Sequence, residues 1–339
     1  MGEDPPDVPI AVEPGYEFNG RWFDTTARLD SIETGLPTLR STIVVAAQYS
    51  SAQRDDSRVP FHDLLADRAS AEFAQVPFDH PLWVLFTSGT TGTPKGIVHG
   101  HGGMILESWK LFGLQFGLSP GDRYYVAANT SWMVWNTVLG NLLAGASVVT
   151  YAGSPLHPRL DRQFQIVAEN RVTMFATGAA YLRLVQASEF RPAVDWDLSA
   201  LHTLLSTGST MPDSTCQWVR DAVGQAVHLS DVSGGTDVCS AFLGSNPLEP
   251  VRLGRMQGPL LGVAVRVWNE SGSRVTDEVG EMVITRPMPS MPVRFWGDAD
   301  GSRFRSAFSS SIPVSGRTAT GSSRHPTARS RCWAGPTPP

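Results

Sequence analysis

The sequence predicts an α/β fold: mostly parallel sheets covered by helices, with a small β subdomain towards the carboxyl end. Three observations carry this. From residue 81 to about 223, strand-like apolar runs alternate with helix-length stretches, the pattern of strands joined by crossover helices. Runs such as Leu82-Trp83-Val84-Leu85-Phe86 and Val172-Thr173-Met174-Phe175-Ala176-Thr177 read as buried strands, which suits a sheet covered on both faces. After about residue 250 two strand runs, 263–268 and 280–285, are separated by Asn269-Glu270-Ser271-Gly272, which is turn chemistry.

Composition sets the bounds. A chain of 339 residues holds one large or two medium domains with ample core. The net charge of -5 argues against a nucleic-acid-binding surface. Cys216, Cys239 and Cys332 are widely spaced and odd in number. They form no disulfide framework or zinc pattern, so a reducing cytoplasmic location is expected. The acidic, proline-rich start Met1-Gly2-Glu3-Asp4-Pro5-Pro6 is not a secretory signal, and no apolar run approaches the length of a membrane span.

Taken in order, residues 1–40 are expected to be an irregular lead-in, because Pro5, Pro6, Pro9 and Pro14 interrupt any period. Within it, residues 16–23 alternate enough for a short strand or hairpin, and 25–36 form a helix. An α/β core spans 41–250. Its expected strands are 41–46, 82–86, 97–99, 123–127, 147–150, 172–177 and 201–206; its helices are 61–69, 103–116, 133–143, 159–170, 179–187 and 212–223. Pro212 suits a first helical turn. Residues 251–308 form the small β subdomain. Residues 309–339, rich in Ser, Arg, Pro, Thr and Gly with few apolar residues, read as a disordered tail.

The chemistry concentrates in Thr87-Ser88-Gly89-Thr90-Thr91-Gly92-Thr93-Pro94-Lys95-Gly96, between the strands at 82–86 and 97–99. Glycines let backbone approach a ligand closely; hydroxyls and amides supply neutral donors, and Lys95 supplies a cation. Many donors, one cation and no carboxylate suit a polyphosphate. Lys95 is followed by Gly96 rather than Ser or Thr, so this is not the Walker A loop.

Thr87 to Gly96 resembles the signature phosphate loop of the acyl-adenylate-forming superfamily, the AMP-dependent synthetases and ligases. The resemblance implies that superfamily's large domain, here incomplete. It also implies a reaction in which a carboxylate attacks ATP to give an acyl-adenylate and pyrophosphate, and the thiol of coenzyme A then attacks the adenylate. Further matches follow in the family's order. Ser206-Thr207-Gly208-Ser209-Thr210-Met211-Pro212 leaves a strand for a helix, where α/β proteins bind ligands; the resemblance sets adenine against Gly208, Ser209 and Thr210. In Ser230-Asp231-Val232-Ser233-Gly234-Gly235-Thr236-Asp237 it gives Thr236 a phosphate and Asp237 the Mg²⁺, with Asp231 among the nucleotide contacts. The family's usual acid is Glu; Asp237 is one methylene shorter, so its contact can run through water. One acid plus ATP oxygens suits magnesium, which keeps several waters.

Acetate-using relatives resemble this chain but carry a bulky Trp two residues before the Thr, closing the acyl pocket. Here that position is Gly234, which opens space. Trp132 and Val134, in Ser131-Trp132-Met133-Val134-Trp135-Asn136, match another wall of that pocket. Together these phrases look most like acetoacetyl-CoA synthetases, which implies acetoacetate, a short β-keto acid, as the carboxylate. Two alternatives stand beside this: another carboxylate–CoA ligase (acetyl, medium-chain or aryl), and a non-catalytic remnant. His99 and His101 share a strand face without a nearby acid or cysteine cluster and read as structural. Asp298-Ala299-Asp300-Gly301 starts like a calcium loop but lacks the rest.

The resemblance covers residues 16–308. Family members are longer at both ends, and an in-frame ribose-binding Gly-Asp motif and the lid domain with its Lys are not found here, so impaired activity is expected. Back-translating 312–339 and reading from each third base allows Pro-Gly-Val-Trp-x-His-Gly-Asp-Trp and, later, Leu-Gly-Arg-Ser-Asp-Ala-Thr. These words resemble the missing ribose and hinge motifs in order. A frameshift near Phe308 is therefore expected, and the nucleotide sequence of the gene decides it.

Overall fold

The computed structural model describes residues 8–46, 58–65, 69–87, 94–269 and 271–309. The chain divides into two compact units, Met1–Gln75 with Ala152–Arg162, and Val76–Tyr151 with Gln163–Pro339.

In the first unit the strands Ile10–Glu13, Thr42–Ala46 and Arg58–Pro60 make a three-stranded parallel sheet in that order. The strand Ile10–Glu13 corrects the expectation of irregular chain near the prolines: it lies between Pro9 and Pro14, at a sheet edge where a missing N–H is tolerated. Gly15–Phe18 and Arg21–Asp24 form the expected hairpin, and the expected helix runs Thr26–Gly35. Arg58, with 3% side-chain exposure, is ion-paired to Glu13, to Asp30 at 2.5 Å and to Glu33 at 2.6 Å. A buried guanidinium requires such partners, and these join the sheet to the helix. The expected helix at 61–69 is one turn, Phe61–Leu64.

The second unit is built on a five-stranded, all-parallel sheet. Its spatial order is His228–Asp231, Thr203–Thr207, Met174–Gly178, Arg123–Val126, Ser147–Val149. Of the three inner strands, Met174–Gly178 and Thr203–Thr207 are buried along their first four residues and Arg123–Val126 along its last three, as parallel strands covered on both faces must be. Helices Arg162–Glu169, Ala179–Gln186 and Asp213–Ala222 begin or lie close to the expected positions. Numbered along the chain, the strand order is 2-1-3-4-5, reversing between Arg123–Val126 and Met174–Gly178; such a reversal opens a crevice at the carboxyl edge.

Three smaller antiparallel sheets complete the unit. Pro81–Thr87 pairs with Lys95–Gly100, which pairs on its other side with Arg294–Phe295. Ser233–Gly235 pairs with Ser240–Gly244, and that strand with Gly258–Pro259. The expected strands near 263–268 and 280–285 pair as Val265–Trp268 with Glu281–Ile284. Val265 and Ile284 share one apolar cluster with Met174, Leu205, Phe242 and Phe112. The helix expected at 103–116 starts earlier, at His101, and after Ser108 widens into a π-helix, Trp109–Gln115. Asp298, read above against a calcium loop, instead accepts the Arg303 and Phe304 amides at 3.2 and 2.8 Å and caps the helix Ser302–Ser309. The sequence from residue 310 on, with the expected disordered tail, lies outside the described residues.

Phe175 is fully buried, stacked on Tyr125 at 5.7 Å and edge-on to Phe164 at 5.6 Å. Phe175→Ala is expected to lower stability by about 3–5 kcal/mol, read as a reduced urea midpoint; a midpoint unchanged from the parent chain would refute the packing described.

Candidate functional site

Every sequence-predicted site residue belongs to the second unit. Ser88, Gly89, Thr90, Thr91 and Gly92 lie outside the described residues; Thr87 and Lys95, which flank them, are directly opposite one another at the end of a strand pair. That pair is held by apolar contacts: Ile97 and Val98 are fully buried, and Ile97 packs with Phe295 and Phe308. Lys95 therefore issues from a rigid edge. Its Nζ stands 5.9 Å from the centre of the Phe295 ring, within cation–π reach.

Thr236 and Asp237 sit in the turn between Ser233–Gly235 and Ser240–Gly244. The Val238 amide donates to the Gly235 carbonyl at 3.3 Å and the Cys239 amide to the Thr236 carbonyl at 3.2 Å. Cys239 closes the turn at φ 45, a conformation costly for a residue with a Cβ. Asp237 is 9% exposed. Burial pushes its carboxyl up, while its own backbone amide and the Lys95 ammonium pull the other way. The acid thus lies within electrostatic reach of a cation 142 residues away by number.

Gly234 is exposed, and a Cβ built there would lie 2.2 Å from the Ser240 carbonyl oxygen and 2.7 Å from the Ala241 Cα. The pairing shifts register between Ser233 and Gly234, the irregularity of a bulge. The glycine is thus required by close backbone approach, independently of any ligand.

Gly208, at φ +88, turns the chain away from the strand Thr203–Thr207, a conformation glycine adopts without cost. Gly208, Ser209 and Thr210 are exposed at the carboxyl edge of the sheet. Asp231 ends the next strand and pairs in register with Ser206. Thr207 Oγ1 donates to the Val232 carbonyl at 3.1 Å, tying the two strand ends together. Asp231 Oδ1 is buried with no hydrogen-bond partner among the described residues. Burial pushes the carboxyl from 3.8 up to about 6, with the Ser206 hydroxyl opposing. Beside it lies a small open cleft lined by Met211, Arg252, Arg255 and Met256. Trp132, 37% exposed, lies in the loop after Arg123–Val126, and Val134 packs on the cluster containing Val232 and Ala241.

Two side chains that sequence reasoning passed over hold the Thr236 hairpin from behind. Glu107, 1% exposed, accepts from Ser240 Oγ at 2.5 Å and from Lys110 Nζ at 2.7 Å. Gln115 donates to the Ser245 carbonyl at 2.7 Å and accepts the Leu261 amide at 2.8 Å. The available signal was an acid inside the apolar run Met104-Ile105-Leu106-Glu107-Ser108-Trp109 with a lysine three residues on. No helix among the described residues is long and apolar enough to cross a membrane.

Acetoacetyl-CoA synthetase of Gallus gallus is 37% identical over 317 residues, covering 91% of this chain and 47% of that protein. Acetoacetyl-coenzyme A synthetase of Rhizobium meliloti (strain 1021) is 40% identical over 300 residues, covering 87% and 46%. A solved acetoacetyl-CoA synthetase from Streptomyces lividans superposes with a TM-score of 0.87 at 42% identity, over 92% of this chain and 48% of that one. The chain thus spans just under half the length of these relatives. The family model for AMP-binding enzymes matches residues 23–291. The chain belongs to the AMP-binding enzyme family.

Proposed function

We propose that this chain carries the nucleotide and acyl sites of an AMP-forming acid–thiol ligase acting on acetoacetate, with ATP and coenzyme A as the other substrates. The carrying observation is the placement of Lys95 at the end of its strand pair opposite Thr87, and of Thr236 with the buried Asp237 in one hairpin turn, where the Lys95 ammonium draws the Asp237 carboxyl downward against burial. A cation, a hydroxyl on Thr236 and a single buried acid suit a triphosphate with its metal.

In this reading Lys95, with Thr87, Ser88, Gly89, Thr90, Thr91 and Gly92, holds the β- and γ-phosphates, and Thr236 holds a phosphate oxygen. Asp237 fits Mg²⁺: it is one carboxylate, buried, and pushed by that burial towards needing positive charge. The metal, when bound, neutralises charge on the departing pyrophosphate. Gly208, Ser209 and Thr210 flank adenine, and the orphaned Oδ1 of Asp231 is an acceptor suited to the adenine amine. Trp132, Val134 and Gly234 shape the acyl site. A carboxylate oxygen of the acid forms a bond to the α-phosphorus as the bond to the bridging oxygen of pyrophosphate breaks. The thiol sulfur of coenzyme A then bonds to the acyl carbon, its proton is lost, and AMP leaves. Acetoacetate as the acid is supported by the names of the relatives and by the phrase around Gly234.

Calorimetry with ATP and Mg²⁺ tests the nucleotide site. Lys95→Ala is expected to weaken binding about 10- to 100-fold with unchanged thermal melting; equal affinity in the two chains sinks the assignment.

Asp231 gives a pH signature. Its folded pKa lies above its ordinary value, so between 3.8 and about 6 the folded state holds a proton that the unfolded state has lost. Stability from this group therefore falls as pH rises through that window. Asp231→Asn removes the effect, so the variant should gain about 1–3 kcal/mol over the parent at pH 7 and nothing at pH 4, measured by urea denaturation at both values. A difference independent of pH contradicts the burial described.

The acid is tested by ATP–pyrophosphate exchange over a panel of carboxylates in a full-length relative carrying the same pocket residues. Acetoacetate should exceed acetate; the reverse order removes the substrate assignment.

A further inference from the structure

His99 lies on the strand Lys95–Gly100, four residues beyond Lys95, and is fully buried. Its ring spans two backbone carbonyls: Nδ1 is 3.1 Å from the Ser290 oxygen and Nε2 is 3.1 Å from the Thr236 oxygen. Carbonyls only accept, and a neutral imidazole carries a single N–H, so the two contacts are not equivalent.

The segment around Ser290 is fixed without the ring. The Val293 amide donates to the Val98 carbonyl at 2.8 Å, Arg294–Phe295 pairs with the same strand, and the Pro289 carbonyl seats against Gly103, where a Cβ would lie 2.2 Å from it. The Thr236 turn is different. Its own backbone bonds are long, at 3.2 and 3.3 Å, and Cys239 holds it at positive φ. Such a turn needs an outside anchor, and His99 supplies one from the strand that presents Lys95.

We propose that His99 is a positioning residue: its Nε2–H donates to the Thr236 carbonyl and fixes the turn carrying Thr236 and Asp237 at a set place opposite Lys95. The ring is fully buried between the two carbonyls, so its role is to hold the turn and not to make or break bonds. This rests on the nucleotide reading above only for its functional consequence; the anchor itself is a property of the free chain.

Two isosteric variants separate the ring's contacts, because a Gln amide can donate from the place of Nε2 and an Asn amide from the place of Nδ1. The full chain and both variants are compared by hydrogen–deuterium exchange without nucleotide, and by calorimetry with ATP and Mg²⁺. His99→Gln is expected to keep exchange over 233–240 and ATP affinity within about threefold of the parent. His99→Asn should exchange about tenfold faster over 233–240 and bind ATP about tenfold more weakly, with exchange over 203–207 unchanged in both. Asn matching the parent while Gln does not, or both variants behaving alike over 233–240, overturns the proposal. If exchange separates the variants as expected but the parent takes up no ATP, the anchor is supported and the nucleotide reading falls.

Discussion

A carboxylate largely withdrawn from water is tolerated only beside compensating charge or donors, and Asp237 has both in modest measure: its own backbone amide and the ammonium of Lys95. Much of the second unit holds these two groups, distant in sequence, within electrostatic reach of one another. Lys95 is fixed because its strand lies between two others, Pro81–Thr87 and Arg294–Phe295. The acid is fixed because its hairpin is gripped by Glu107, Gln115 and His99. Glu107 repeats the same constraint one layer deeper. It too is a buried acid answered by a lysine and a hydroxyl, but with Oε2 left without a hydrogen-bond partner among the described residues. A partly satisfied network of this kind costs stability, and its return is a hairpin held in place.

The parallel sheet does the complementary work at the other end of the site. Three candidate segments, the loop with Trp132, the turn at Gly208 and the end of the strand at Asp231, all follow carboxyl ends of strands in one sheet. The loop with Trp132 leaves the strand at which the order reverses. The crevice therefore arises from topology, while its chemistry comes from the few polar side chains set along its rim.

How much of this could be read from the residues depended on where each partner lay. Strands with continuous apolar runs, such as Thr203–Thr207, and amphipathic helices, such as Asp213–Ala222, declare themselves locally. His228–Asp231 does not: three of its four residues are polar, and it is a strand because Thr203–Thr207 offers it an edge. Ile10–Glu13 and Arg58–Pro60 are likewise short and ordered by pairing with Thr42–Ala46. The switch from α- to π-helix at Trp109 carries no local mark. In the site, Thr236 and Asp237 were legible as a phrase, but Glu107 and Gln115 act on groups 133 and 130 residues away, a separation no periodicity reports.

Gly234 shows where motif reading and geometry part. From the residues alone its value is the space an absent indole leaves. In the fold, the Cα–Cβ direction at this position is occupied by the Ser240 carbonyl at 2.2 Å, so even a methyl group requires the two strands of the hairpin to separate. A relative with a large side chain at the equivalent place must therefore differ in backbone as well as in volume, beginning at the register shift beside Ser233. The backbone at Gly234 and the position of Thr236, two residues on, are consequently one property of the hairpin. A change at Gly234 that separated the strands would also displace Thr236 and Asp237, so on the proposed assignment of these residues substrate choice and nucleotide grip would be coupled through the backbone.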